Sequence, residues 1–180
     1  WKANSVLNSG RWIKVRTSGR GIYKIPYDKL KTWGFNTPEL VNVYGSGGIK
    51  LPESLDVAPV DDLVKNPVWR GKDGTGKDCL FFYSTGSVDW KWDPVFKVFR
   101  HTTNPYSEVS CYFLSDKGNA PFLVAKREQS GQSATHTVNS FDDYALLENE
   151  KCNLIQSGQQ WFGEKYATGT SHTYFFPSTN

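Results

Sequence analysis

Three cysteines and three histidines are the residues of this chain that could support covalent chemistry: Cys79, Cys111, Cys152, His101, His136 and His172. A cysteine nucleophile requires a thiolate with an imidazole within reach, usually oriented by a third polar group. Each cysteine, however, lies in an apolar stretch that predicts a strand or a helix, and each histidine is followed by threonine in a strand end or loop. We therefore predict buried, unactivated thiols and no catalytic residue in this chain.

The spacing of the same residues does not indicate a metal site. Zinc sites usually show Cys-x-x-Cys or paired Cys/His spacing, and the three cysteines show neither. No metal ligand and no cofactor are predicted. A disulfide between Cys79 and Cys111 would require their two strands to be neighbours, and the odd number of cysteines leaves at least one thiol unpaired within a monomer.

Two glycine-rich turns have the composition of ligand-binding loops. The first, GSGG at 45–48, follows a strand-like run, but Lys50 stands where a dinucleotide fingerprint needs glycine and no helical period follows. We predict a positive φ at Gly47 or Gly48, in a tight turn or bulge at the strand end. The second, DGTGKD at 73–78, fits neither a calcium loop nor a P-loop and predicts an ordinary acidic turn.

Aromatic residues are the remaining candidates for an interaction surface. Trp90 and Trp92 alternate in the strand-like segment SVDWKWDPVF, so both side chains point to one face. That face is either a platform for sugars or a partner protein, or the buried face of a core strand. A second concentration of aromatic residues, in residues 157–178, includes Trp161, Phe162 and Phe175. Because so many aromatic side chains must be buried somewhere, we predict that this segment forms the joint to a following domain.

Composition and charge exclude several classes of protein. Aromatic residues make up 15% of the 180 residues, with 16 Gly and 9 Pro, which favours many short strands and turns over long helices. The net charge of +3 comes from scattered Lys and Arg, so nucleic acid is not a predicted partner. No apolar stretch approaches the length of a membrane span, and residues 1–30 lack a signal-peptide pattern. The absence of methionine and the start at Trp1 indicate an excised or processed fragment.

Hydrophobic periodicity predicts an α+β fold that is predominantly β, an antiparallel sheet or sandwich with two or three helices. Residues 11–25 have the pattern of two alternating strands joined by a Gly-rich loop, which predicts a β-hairpin. Residues 26–34 predict a short helix that Gly34 ends in the left-handed conformation. Further strands are predicted at 40–45, 68–70, 79–84, 95–101, 108–115 and 121–128.

The chain divides into three predicted parts: a β-rich N-terminal domain at 1–128, a polar linker or loop at 129–141, and a helix plus strand at 142–180 that join a following domain. Ser140 and Asp143 fit a capping box, and the apolar residues that follow lie at helical spacing. The longest helix is therefore predicted at 142–157. The segment SHTYFF near the C-terminus predicts an edge strand.

Five segments resemble one family when they are taken in order: GIYKIPYDKLKTWGF, VYGSGGIKLPE, DDLVKNPVWRGKDGTGKDCLFFYSTGSVDWKWD, FRHTTNPYSEVSCYFLS and SGQQWFGEKY. They resemble the N-terminal region of type IX secretion system sortases and related gingipain-type cysteine peptidases, surface proteins of Bacteroidetes. The likeness covers residues 10–116 and 141–166. Two positions depart from the commoner family pattern, the GGIK at 47–50 and Gln159, where family members often carry arginine.

The resemblance implies a parent protein that is exported through the periplasm and exposed at the extracellular or outer-membrane surface, with its catalytic Cys/His domain further along. No histidine here matches the family's His-Gly signature, so no catalytic residue is carried over. The chain would be a non-catalytic binding or packing module. Its partners would be downstream domains of the same parent chain or secretion-system components, without direct membrane insertion. The alternative is a glycan-binding cell-surface module that uses exposed tryptophans.

Overall fold

A computed structural model of the chain describes residues 2–48, 50–52, 54, 56–58, 60–118, 120–128, 131, 133, 135–140, 145–156 and 160–176. The chain forms two compact units, Trp1–Ala125 and Lys126–Asn180. All helices and strands of the described residues lie in the first unit. None of these helices has the length and apolar character needed to cross a membrane.

Nine strands dominate the described secondary structure. The strands are β1 (Ile13–Thr17), β2 (Arg20–Pro26), β3 (Asn42–Gly47), β4 (Lys65–Asn66), β5 (Val68–Lys72), β6 (Asp78–Thr85), β7 (Val88–Asp93), β8 (Val98–Thr103) and β9 (Ser110–Ser115). The α-helix is α1 (Tyr27–Thr32), and 3₁₀ turns lie at Val6–Asn8 and Pro38–Leu40. Strand accounts for 34% and helix for 8% of the described residues, which confirms the predominantly β fold; the one α-helix described is fewer than the two or three predicted.

The strands pair antiparallel, as predicted, and they form three sheets. The first sheet has the order β1-β9-β3-β4, the second β2-β6-β5, and the third is the pair β7-β8. The first two sheets face each other. The rings of Phe82 and Tyr112 meet edge to face across the gap at 5.1 Å, and the hydroxyls of Thr17 and Ser84 form a hydrogen bond of 2.7 Å. The first unit is therefore a β-sandwich that carries a separate hairpin.

The core lies between the two facing sheets and extends under α1. Its buried apolar residues are Ile25, Leu30, Phe35, Val41, Val43, Val68, Leu80, Phe82, Tyr112 and Leu114. The helix ends as predicted: Gly34 has a φ of +87°, and the Phe35 amide donates to the Leu30 carbonyl at 3.1 Å. This left-handed closure directs Phe35 back into the core, where it is fully buried.

The predicted hairpin at residues 11–25 is wrong in its pairing, although both of its strands are present. Val15 of β1 lies opposite Tyr112 of β9, whereas Ile25 of β2 lies opposite Leu80 of β6. The two consecutive strands therefore belong to different sheets. Each buries its inward side chains against the facing sheet, and this burial outweighs the short-range pairing that the Gly-rich loop would allow.

The strand predicted at 121–128 is reduced to a single bridge. The Val68 amide donates to the Phe122 carbonyl at 2.8 Å, and the Val124 amide donates to the Val68 carbonyl at 3.0 Å. This contact pairs Leu123 with Val68 in parallel orientation. About half of each apolar side chain from Phe122 to Val124 stays exposed. Without burial of those side chains, little stabilises a longer pairing with β5.

The longest predicted helix, at 142–157, is absent from its described part, residues 145–156. The amides of Lys151 and Cys152 donate instead to the Phe162 carbonyl, both at 2.9 Å. Leu154 and Ile155, at positions expected to face a core, are largely exposed. A helix of this length depends on packing of its apolar face, and these residues have no such surface to cover. Residues 141–144, with the predicted first turn, and 157 lie outside the described residues.

Two further predictions, a polar linker and an edge strand, fall on segments whose described backbone is irregular. The described residues of the predicted linker (131, 133 and 135–140) contain no helix or strand. Residues 171–176, with the predicted edge strand SHTYFF, also form no strand. A strand needs a partner for its backbone groups, and the described part of this unit contains one bridge, between Cys152 and Phe162.

Candidate functional site

The hairpin of β7 and β8 is the candidate functional site, and we call it the aromatic hairpin (Val88–Thr103). Within the described residues its strands pair with each other and with no strand of the sandwich. Register places Trp90 opposite His101 and Trp92 opposite Phe99. Residues directly opposite in an antiparallel pair share a face, so these four rings line one side of the hairpin.

The aromatic face is held together by ring contacts and remains open to solvent. The rings of Trp92 and Phe99 meet edge to face at 5.1 Å, and those of Trp90 and His101 lie 5.1 Å apart. Trp92 is 51% exposed and Phe99 is 64% exposed, whereas Trp90 is half-buried. Trp92 therefore does not occupy the core, which was one of the two alternatives for this segment.

The tip of the hairpin carries a further exposed ring, which packs on a side chain of the face opposite Trp92 and Phe99. Phe96 is 66% exposed, and its ring lies 4.8 Å from the guanidinium carbon of Arg100. Asp93 shapes the turn, because its Oδ1 accepts from the amides of Val95 and Phe96 at 3.0 and 3.1 Å. The Phe96 amide, and then the Arg100 guanidinium, lower the pKa of Asp93. The Asp93 carboxylate therefore stays ionised at neutral pH, and the turn that it closes stays formed.

The opposite face of the aromatic hairpin is charged. Asp93 Oδ2 accepts from Arg100 Nε at 2.6 Å, and Lys91 Nζ lies 3.4 Å from Asp89 Oδ2. These pairs lie at the positions that alternate with the rings. The hairpin is thus amphipathic, with one face suited to water and the other to a partner.

The predicted glycine turn anchors the base of this hairpin. Gly47 has the predicted positive φ, +79°, beside a register shift between β3 and β9. Asn104 Nδ2 donates to the Gly48 carbonyl at 2.8 Å, and the Asn104 amide donates to the Ser87 carbonyl at 2.9 Å. A Cβ added at Gly48 would lie 2.7 Å from the Gly86 carbonyl oxygen. Glycine is required there so that two backbone segments can approach closely.

The second glycine-rich turn binds its own backbone. Asp73 Oδ1 accepts from the Thr75 amide at 2.9 Å, the Thr75 hydroxyl at 2.6 Å and the Lys77 amide at 3.2 Å. Its other oxygen accepts from Lys24 Nζ at 3.0 Å. The Thr75 hydroxyl, and then the Lys24 ammonium, hold the pKa of Asp73 well below its usual range. The carboxylate closes the turn, as expected for an ordinary acidic turn.

We expect the stability of this turn to depend on pH with a defined sign. Because the folded-state pKa of Asp73 is depressed, its contribution is present above about pH 4, the ordinary aspartate range, and is lost as pH falls toward the folded-state pKa. Asp73→Asn should lower stability at neutral pH and flatten the acid-induced loss, measured by denaturant unfolding at several pH values. Asp78→Asn is the matched control, since Asp78 forms an exposed ion pair with Lys72. An equal effect of both variants would contradict the prediction.

Of the three cysteines, Cys79 is buried as predicted, whereas Cys111 and Cys152 are only partly buried, so the prediction of buried thiols is wrong for those two. All three thiols are free, so the alternative of a Cys79–Cys111 disulfide does not hold. Cys79 is fully buried, its thiol donates to the Lys77 carbonyl at 3.4 Å, and burial raises its pKa. His172 Nδ1 lies 2.9 Å from Glu164 Oε2. The described residues contain no cluster of three or more potential metal ligands.

The second unit contains the other aromatic residues of the predicted interaction surface. Trp161 and Phe162 are a little over one-third exposed, and Phe175 is 89% exposed. The Phe162 backbone pairs with that of Cys152. That these residues form a joint to another domain remains a prediction.

Sequence reasoning missed a cluster around Glu164 in the second unit. The Tyr174 hydroxyl donates to Glu164 at 2.6 Å, and the Lys151 ammonium binds the same carboxylate.

Sequence reasoning also does not identify Phe96 and Phe99 as surface residues, because the pattern at 95–101 predicts an ordinary strand of the sheet. The sequence did contain a pattern that indicates an exposed strand. Asp89, Lys91 and Asp93 alternate with the tryptophans, and a strand with charges at every second position has one face in water. Only the pairing with β8 shows that the aromatic side of this strand is uncovered too.

Comparison with known proteins identifies a relative of this fold. No family model matches the chain, and no curated protein matches it. Among solved structures, the crystal structure of dimeric latent PorU from Porphyromonas gingivalis matches with a TM-score of 0.64 and 36% sequence identity. The match covers 81% of this chain and 13% of that chain, so these 180 residues span a small part of the PorU length. With that identity and a shared fold, the chain is a PorU-related domain.

Proposed function

We propose that this PorU-related domain is a non-catalytic module of a type IX secretion sortase or related gingipain-type cysteine peptidase. Its function is to bind other domains of the same parent chain through the aromatic hairpin. The observation that carries the proposal is the exposure of Trp92 and Phe99 on a hairpin whose strands, among the described residues, pair only with each other. The parent is placed at the extracellular or outer-membrane surface, and secretion-system components are a second class of partner.

The energetics of the hairpin favour docking. Burial of one aromatic side chain is worth about 1.5–3 kcal/mol, and the aromatic face offers several such side chains. A two-stranded hairpin is also marginally stable in water when nothing packs on it. A partner seated on the aromatic face would therefore stabilise the hairpin and remove an apolar surface from solvent at the same time.

The position of the charges supports a one-sided contact. The Asp93–Arg100 and Asp89–Lys91 pairs lie on the face opposite the rings, where the basic side chain of each pair is exposed to water. Docking through the aromatic face leaves both pairs in place. The small share of PorU that this chain matches, 13%, leaves ample further chain in such a parent to supply the complementary surface.

The state of the Cys79 thiol supports the non-catalytic part of the proposal. Cys79 is buried with a raised pKa, which opposes formation of a thiolate. Any peptidase chemistry of the parent would then lie in its other domains, which this module would position or cover.

Glycan binding is the second candidate, and the exposure of Trp92 favours it. Exposed aromatic rings can stack on the apolar faces of sugars as well as on protein side chains. The alternative to a sugar platform, in which the tryptophans occupy the buried face of a core strand, fails for Trp92.

A binding experiment distinguishes docking from glycan binding. In it, the 180-residue chain is mixed with a version of its parent protein from which these residues have been removed. We expect a stable 1:1 complex, measured by calorimetry and size-exclusion chromatography, and no thiol-dependent cleavage of peptides by the chain alone. A polysaccharide panel is the parallel arm. If the parent remainder does not bind while a polysaccharide does, the glycan-binding function replaces the docking function.

A further inference from the structure

A groove between β1 and β2 lies apart from the aromatic hairpin. It is a cavity of about 350 Å³, and its lining residues are Lys14 to Thr17, Tyr23 to Ile25, Trp33 and Phe82. The groove exists because β1 and β2 are the end strands of two different sheets. Among the described residues, no strand pairs with the outer edge of either one. Both edges therefore present backbone donors and acceptors to the groove.

The groove lies in the most positively charged segment of the chain. Residues 11–33 contain seven Lys and Arg against one Asp, a net charge of +6, while the whole chain carries +3. Lys14 and Arg16 are exposed, and neither forms an ion pair with a described residue. Lys29 Nζ lies 5.5 Å from the Trp33 ring, and Arg11 Nη1 donates to the Trp33 carbonyl at 3.4 Å. The charge therefore surrounds the groove on more than one side.

The interior of the groove is apolar. Val15 packs against the core, and the Tyr23 and Phe82 rings stack at 5.8 Å. The Tyr23 hydroxyl is held by the backbone of Gly19, with hydrogen bonds of 3.1 and 3.2 Å. This interior is thus rigid and suited to small apolar side chains.

Strand geometry determines which ligand fits both features. Lys14 and Arg16 point to the outer face of β1, because Val15 between them points to the core. A strand added alongside β1 would alternate in the same way. Its outward side chains would lie beside the two cations, and its inward side chains would enter the apolar groove.

We propose that this groove binds an extended, acidic polypeptide segment in which acidic and apolar residues alternate. The segment adds to the free edge of β1, its carboxylates pair with Lys14 and Arg16, and its apolar side chains lie against Val15 and Phe82. Backbone hydrogen bonds provide affinity, and the alternation provides specificity. The proposal is independent of the docking function assigned to the aromatic hairpin.

The test uses the 180-residue chain and a labelled short peptide with Glu at alternate positions and Val or Leu between them. Fluorescence anisotropy at about 0.15 M salt measures the affinity, so that long-range charge attraction is screened. A peptide of the same composition with its Glu residues in one block is the ligand control. We expect the alternating peptide to bind about tenfold more tightly, because only it places carboxylates and apolar groups on opposite faces.

Charge reversal locates the site. Lys14→Glu with Arg16→Glu should weaken binding of the alternating peptide at least about tenfold. Lys126→Glu with Arg127→Glu makes the same charge change at exposed residues of the second unit and should leave the affinity within about twofold. Lys14→Gln with Arg16→Gln replaces the first variant if charge reversal impairs folding. Slower hydrogen exchange at the amides of Lys14 to Thr17 should accompany binding.

Three outcomes overturn the proposal. The first is the absence of saturable peptide binding. The second is equal binding of the block peptide, heparin or inorganic phosphate, which would make the groove a general anion site. The third is an equal loss of affinity in the Lys126/Arg127 control, which would show that net charge and not the groove determines binding.

Discussion

Replacing Trp92 and Phe99 with alanine is expected to weaken binding of the chain to the rest of its parent protein by about a hundredfold, or roughly 2.7 kcal/mol. The two rings contact each other at 5.1 Å on the aromatic face and more than half of each is exposed, so a partner can bury both. Aromatic residues that become fully desolvated at the centre of an interface contribute a large share of its binding energy. Calorimetric titration of the parent remainder with wild-type and variant chains measures the loss.

The chain offers two matched controls for this prediction. Trp69 lies on β5 of the sandwich and is 56% exposed, close to the 51% of Trp92, so Trp69→Ala removes an equally accessible indole elsewhere. Lys91→Ala alters the charged face of the same hairpin. Both variants should bind almost as tightly as the wild type. If Trp69→Ala reduces binding as strongly as Trp92→Ala, general surface hydrophobicity explains the interaction and the aromatic hairpin has no special role.

Gly48→Ala is expected to destabilise the first unit by about 1–3 kcal/mol, the usual cost of overpacking a closely packed site. The added methyl group would lie 2.7 Å from the Gly86 carbonyl oxygen and would also contact the Ser110 hydroxyl. Backbone must move to relieve the first contact, and the same backbone holds the hairpin base through Asn104. We therefore expect a lower midpoint in chemical denaturation together with altered fluorescence of the hairpin tryptophans.

Gly74→Ala is the matched control for this substitution. A Cβ at Gly74 would meet no atom within 4 Å, and its φ lies outside the left-handed range. Its free energy of unfolding should change by no more than about 0.5 kcal/mol, or increase slightly because the unfolded chain loses flexibility. A Gly48→Ala variant as stable as Gly74→Ala would show that the glycine turn is not needed to anchor the hairpin.

Local features of the fold were predictable because short stretches of chain determine them. The helix before Gly34, the buried strand β3 and the positive φ at Gly47 each follow from the properties of a few consecutive residues. Proline at a helix start and glycine at a helix end or bulge act through the backbone alone. Predictions that required distant contacts were less successful. The helix expected at 142–157 had the right spacing, but spacing gives no stability to an apolar face that meets no core.

For the candidate sites too, the sequence predicts local features and the distant contacts are set by the tertiary structure. Trp90 and Trp92 were found by their alternation, yet sequence could not distinguish a core face from an open one, since both give the same period of two. Exposure of Trp92 depends on β7 pairing with β8 and with no sandwich strand. The sequence alone does not indicate that Lys14 and Arg16 belong to a binding site, because basic residues are scattered along the chain. The groove beside them exists only because β1 and β2 belong to different sheets.

The sequence by itself determined the β-rich class, the positions of most strands and the resemblance to type IX secretion sortases, because alternation, turn residues and ordered motifs are properties of the linear chain. Tertiary structure decided which strands are neighbours, which thiols stay apart, and which aromatic and basic side chains face solvent. The physical reason is that residues far apart in sequence bury one another. β1 pairs with β9, where Val15 lies opposite Tyr112, and β2 pairs with β6, where Ile25 lies opposite Leu80. No local pattern encodes the surface that a strand will meet or leave uncovered.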